Sequence, residues 1–252
     1  RNRSGVIGIE CASIYLALGK KVTVLQGAEF ILPPTDREIA QMVSMYLRNQ
    51  GAEIHLKAKV QKIEQQGDQL RVTYLDRNDG ENSIITEGVL ISTGRHANID
   101  GLFAPGKEPE LKRGAIVGDE AGRTSIENIY VVGDAKADTI QLAHVAIAQG
   151  INAVAAILGQ EMPINVDVVP SCVYTIPEVS SVGMTEDQAK ANGRQVKVRK
   201  YLTGANGKCL IEGSESGFVK LVADAETEEL LGAQMICPRA TDLIGELALA
   251  VQ

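Results

Sequence analysis

The chain has 252 residues, 44% hydrophobic and 23% charged, an ordinary globular balance with room for one large domain or two smaller ones. A formal net charge of -7 argues against a nucleic-acid groove or an anionic membrane as partner. No apolar run approaches the ~20 residues that cross a bilayer, and the first residues do not resemble a signal peptide, so a cytoplasmic protein is expected.

In chain order, "RNRSGVIGIE" has the spacing of the second half of a G-x-G-x-x-G turn, with Gly5 and Gly8 three apart and Arg3 where a first glycine belongs. "VIGIECASIYLALG" is apolar at helical spacing and ends on Gly19, a plausible C-cap. "KKVTVLQ" reads as a strand, "TDREIAQMVSMYLRNQG" as a helix capped by Thr35 or Asp36 and closed by Gly51, and "AEIHL" as a strand. That alternation predicts a parallel α/β sheet. "KVQKIEQQ", "QLRVTYLD" and "NSIITEG" then alternate in period two between Gly and Asn turns, an antiparallel meander. "VLIST" and "NIYVVGDA" read as buried strands, the first running into Gly94 and the second ending on Gly133 and Asp134, and "LAHVAIAQGINAVAAILG" as a long helix. From "SCVYTIPEVSSVG" to "ATDLIGELALAVQ" the chain is strand-rich and antiparallel, with a helix at "TEDQAKANG" and another at the end.

The four cysteines Cys11, Cys172, Cys209 and Cys237 form no close pair, and each reads as a small buried apolar residue. His55, His96 and His144 stand in unrelated settings, so no metal site is predicted. A dinucleotide loop uses its glycines for a tight turn, for backbone approach to the pyrophosphate and for helix–strand packing, while the following helix N-terminus offers N–H groups to phosphate. Gly5 and Gly8 can fill the last two roles; the bland alternative is a helix start after a flexible terminus. Gln26 occupies the place of the acidic residue that grips the adenosine ribose, and its amide can still bond a hydroxyl.

Four segments in register, "VLISTGRHANIDGL", "SIENIYVVGDAKADTIQLAHVAIAQG", "VPSCVYTIPEVSSVGMTEDQAKANG" and "GFVKLVADAETEELLGAQMICPRATDLIGELALAV", resemble the flavin-dependent pyridine nucleotide–disulfide oxidoreductases, most closely their dihydrolipoyl dehydrogenase branch. The resemblance implies an α/β fold: a Rossmann-like NAD-binding domain with its meander over residues 1–94, a central FAD-contacting segment over 95–165, and an α+β dimerisation domain over 166–252. It implies that the chain is a fragment, without the FAD domain that carries the redox cysteines and without the terminal His–Glu base, so it holds no catalytic residue and is expected to be inactive alone and colourless.

By the same resemblance Gly5, Val6, Ile7 and Gly8 correspond to the nucleotide phosphate loop, and Glu10 to an acid near the nicotinamide. Its plainer alternative is a first-turn carboxylate favoured by the helix dipole. Gln26 falls at the ribose position, Val60 beside the adenine and Gly94 at the closing glycine of the nicotinamide pocket. Asp134, after Gly133, corresponds to the FAD ribityl acceptor, or is simply a turn aspartate. Leu142, Ala143 and His144 correspond to the helix start facing the flavin, though His144 alone is an unremarkable helix-start residue. Ala97 departs from the proline of the family pattern G-R-x-P-N, and His96 stands where the family more often has a basic residue. The implied cofactors are NAD and FAD, and the implied partners a second copy and a lipoyl-bearing acyltransferase complex. A mercuric or glutathione reductase relative, or a non-catalytic nucleotide-binding and dimerisation module, remain the alternatives.

Overall fold

The computed structural model describes residues 5–33, 35–213 and 216–252. The sequence expectation for Arg3 and Ser4 therefore lies outside the described residues. Two compact units form, one from Arg1–Gly94 with Pro170–Gln252 and one from Arg95–Val169.

In the first unit, helix α1 (Val6–Ala17) is apolar on every side. Ile9, Ala12 and Leu16 are buried, while Ile7, Ile14 and Leu18 on the other face are exposed. Its end is closed by Gly19 at a φ of +72°, the left-handed position that glycine takes without a Cβ penalty. Strand β1 (Thr23–Gln26) pairs in parallel with β2 (Glu53–Leu56), Thr23 opposite Glu53. Between them α2 (Arg37–Asn49) supplies the crossover. Asp36 caps α2, its Oδ1 accepting from the Glu38 and Ile39 amides at 3.0 and 3.4 Å. The meander β3 (Lys59–Gln66), β4 (Gln69–Leu75) and β5 (Glu81–Thr86) forms its own antiparallel three-stranded sheet.

One predicted strand does not form here. Val89, Leu90 and Ile91 of "VLIST" are 38%, 55% and 69% exposed and belong to no ladder. A strand exists through the partners that take its amides and carbonyls, and among the described residues none pairs with this run. Its apolar composition records a burial that these neighbours do not supply.

The remainder of the unit is a five-stranded antiparallel sheet in the order β10-β11-β12-β9-β8, from β8 (Ser171–Val173), β9 (Glu178–Gly183), β10 (Val196–Leu202), β11 (Phe218–Asp224) and β12 (Leu230–Cys237). Helix α4 (Glu186–Ala191) starts on a capping box from Thr185 and Gln188, α5 (Gly207–Ile211) on Asn206, and α6 (Ala240–Val251) packs on β9 and β12. Ile9, Leu16, Ile39, Val43 and Ile54 share one core cluster with Val173, Val179, Phe218 and Ile236. Each such side chain contributes about 1.5–3 kcal/mol by leaving water. The nucleotide-type elements and the antiparallel sheet thus pack on a common interior.

The second unit is loop-rich. Its regular elements are the short hairpin β6 (Leu111–Lys112) with β7 (Ala115–Ile116), a 3-10 turn over Gly133–Ala135 and helix α3 (Ala143–Ile157). "NIYVVGDA" forms no continuous strand: Tyr130 makes a single bridge to Arg123, and the Val131 amide donates to the Gly122 carbonyl at 2.7 Å. Those bonds go to a turn, which cannot extend into a ladder. The mixed α/β character and the antiparallel C-terminal sheet agree with the sequence reading.

Candidate functional site

Gly5 and Gly8 are glycines because chain passes close to them. A Cβ on Gly5 would sit 3.0 Å from Leu32 Cα and 3.1 Å from its amide nitrogen, backbone atoms that cannot step aside. A Cβ on Gly8 would meet Ser92 Oγ at 2.5 Å. The start of α1 is therefore pressed onto the segment that leads to Gly94, whose φ is +115°. Among the described residues no side chain caps α1, which suits the anion site that a helix N-terminus can offer. Val6 is half-buried and Ile7 exposed beside them.

Gln26 closes β1, where its carbonyl accepts from the Ala58 amide at 3.0 Å. That bond brings it within two positions of Val60, an exposed residue of β3 next to a bulge. The Gln26 amide nitrogen makes a long 3.4 Å contact to the Phe30 carbonyl. Glu10 lies one turn into α1, where a carboxylate oxygen accepts the Tyr174 amide at 2.9 Å. It is thus neither merely solvated nor idle: it ties α1 to the chain just after β8.

In the second unit the turn at Gly133 and Asp134 packs against α3, which begins after Leu142 with Ala143 and His144. Gly133 has a φ of +65°, and a Cβ there would stand 2.9 Å from Ala146 Cβ. Its amide donates to Gln149 Oε1 at 2.7 Å, and Gln149 Nε2 reaches Thr139 Oγ1 at 2.6 Å. The buried Gln149 thereby pins both the turn and the loop after it from inside. On the outer side Arg95 Nη1 pairs with Asp134 Oδ2 at 3.2 Å, and Nη2 donates to the Gln141 carbonyl at 3.1 Å. Leu142 caps α3 without a side-chain bond, and Ala143 and His144 are exposed. Sequence reasoning passed over Arg95 and Gln149. Arg95 stood in the quoted "TGR", while Gln149 is an amide on an apolar helix face, the one signal that could have marked it.

Of the four cysteines read as buried, only Cys237 is buried; Cys11, Cys172 and Cys209 are half-buried. All four are free thiols; burial pushes Cys237 up to about 11, and burial, with Glu178 nearby, pushes Cys172 up as well. Among the described residues no three Cys, His, Asp or Glu side chains group as metal ligands, and no helix is long and apolar enough to cross a membrane.

Residues 4–150 match the family described as Pyridine nucleotide-disulphide oxidoreductase, and residues 169–252 its dimerisation domain. The chain belongs to this family. Its relatives include the Dihydrolipoyl dehydrogenase of Bacillus subtilis (strain 168), 41% identical over 98% of this chain and 52% of that protein. Among solved structures, LpdA from Mycobacterium tuberculosis superposes with a TM-score of 0.89 at 27% identity, covering 98% of this chain and 53% of that one. The HOCl-induced flavoprotein disulfide reductase RclA from Escherichia coli gives 0.86 at 28% identity, covering 98% and 56%. The chain spans about half the length of these proteins. Membership in the oxidoreductase family implies use of a flavin and a pyridine nucleotide.

Proposed function

We propose that the chain is the NAD-binding and subunit-pairing part of a dihydrolipoyl dehydrogenase, the enzyme that oxidises dihydrolipoamide through a disulfide and FAD to reduce NAD. The 41% identity to the Bacillus subtilis enzyme over 98% of the chain carries this reading. Residues 1–94 bind the nucleotide, 95–165 contact the flavin and 166–252 pair with a second copy. The wider assembly is a lipoyl-bearing acyltransferase complex.

The residues present fit both cofactors. Gly8 and the uncapped amides at the start of α1 suit a pyrophosphate, Gln26 a ribose hydroxyl, Val60 an adenine face, and Glu10 and Gly94 the nicotinamide end. Gln26 is neutral where an acid is usual, so it binds the ribose hydroxyl without the charge that repels a 2′-phosphate, while no arginine follows it closely to attract one. Asp134 and the start of α3, with its uncapped amides, suit a flavin's polyol and ring edge. When bound, the flavin supplies the two-electron relay between a dithiol and nicotinamide. The chain's own part is to orient both groups; with no cysteine pair of its own it does not exchange with lipoamide.

The test is a chimera in which this chain replaces the matching half of the Bacillus subtilis enzyme. It should reduce NAD with dihydrolipoamide, while the 252-residue chain alone should not. A folded, flavin-loaded chimera that ignores dihydrolipoamide and reduces another disulfide would favour the second reading, a disulfide reductase of the RclA kind, which the TM-score of 0.86 supports.

A further inference from the structure

We propose that Arg95 sets the affinity for flavin by fixing which oxygen of Asp134 is offered to the polyol chain. The inference rests on the reading of Asp134 as the ribityl acceptor. A guanidinium is a planar fork, and here its two arms reach opposite ends of one loop: Nη1 to Asp134 Oδ2 at 3.2 Å on the 3-10 turn, Nη2 to the Gln141 carbonyl at 3.1 Å just before α3. Gln149 holds the same loop from its buried side, at the Gly133 amide and at Thr139. With the loop held from both sides, the ion pair at Oδ2 biases the rotation of the Asp134 carboxylate.

What remains exposed is specific. Asp134 Oδ1 has no partner among the described residues, and the side chain is 47% exposed. An ionised carboxylate oxygen with its partner oxygen already committed is a pure acceptor, the complement of an alcohol O–H. Beside it, the first-turn amides of α3 have no side-chain cap. A lysine at position 95 would keep the charge, but its compact ammonium does not reproduce the planar fork. The position therefore requires the fork and not only the cation.

The experiment uses the chimera of this chain with the remaining half of the Bacillus subtilis enzyme, following quenching of added FAD fluorescence, with hydrogen exchange of amides 133–142 as a second readout. Arg95→Ala and Arg95→Lys should each weaken FAD by about threefold, the size of one half-exposed ion pair. Both should speed exchange in the loop, and millimolar guanidinium should restore binding to Arg95→Ala. Asp134→Asn should weaken FAD with no guanidinium rescue. If Arg95→Lys binds as wild type, the fork is unnecessary and the inference falls while the Asp134 reading stands. If Asp134→Asn binds as wild type, that reading falls first. A chimera with Arg95 and Asp134 intact that quenches no flavin overturns both. Arg95 is half exposed, so these variants are expected to fold, and unchanged exchange elsewhere in the chain checks it.

Discussion

Gln149 shows how a single amide can matter more than its neighbours. It is buried on α3 and gives the Gly133 amide its partner at 2.7 Å, in a turn whose φ of +65° already restricts the position to glycine. Gln149→Leu leaves that buried amide unpaired and should cost about 1–3 kcal/mol in denaturant unfolding. No loss would mean that another group takes the bond. Cys237 makes a different prediction. With its thiol pushed up to about 11, almost none is thiolate near neutral pH, so native alkylation should be far slower than in urea. A native rate as fast as that in urea would contradict the burial argument. Neither property was legible from residue type alone. The close approach of chain at Gly5 and Gly8 was, because their spacing forms a pattern, whereas Arg95 and Gln149 act through partners far along the chain.

At the scale of elements, α2 and the antiparallel sheet meet through charge. Lys200 and Lys220 stand directly opposite each other on β10 and β11, a repulsive pair on its own. The buried Asp36 takes Lys220 at 3.0 Å, while Glu38 bonds Lys220 at 3.2 Å and also Lys200. The ring of Phe218 lies 5.0 and 5.6 Å from the two ammonium groups. The hydrogen bond from Lys200, opposed by partial burial and helped by Lys220, holds Glu38 below the ordinary carboxylate range. Burial pulls Lys220 down, but its bonds to Asp36 and Glu38 outweigh that and raise it. The signs follow by linkage. Glu38 adds stability above its unfolded pKa that is lost as pH falls through its lower folded value, and Lys220 adds stability that is lost as pH rises through its raised one. Melting temperature against pH should therefore fall less steeply in acid for Glu38→Gln than for wild type, and parallel curves would refute the linkage. Lys220→Ala strands Asp36 and should cost about 3–5 kcal/mol. Helices, the β1–β2 pair and the meander were legible because period and caps are local. "VLIST" and "NIYVV" were misread because apolar runs report burial, and only a neighbouring ladder makes a strand.

Across the whole molecule, two features of the first unit bear on assembly. An antiparallel sheet ends on α6, whose Leu243 and Leu249 are exposed, and residues 169–252 match a dimerisation domain. Sedimentation should show self-association that rises with concentration, and a strictly monomeric mass at all concentrations would count against pairing through this region. The start of α1, Gln26 and Gly94 are the proposed pocket for NAD. The most direct measurement is a fluorescence titration of the chain with NADH and with NADPH. NADH should bind more tightly, and Gly8→Val, whose side chain would run into Ser92 and the phosphate approach, should abolish the difference. Equal affinity for both nucleotides, or binding of neither, would contradict the account.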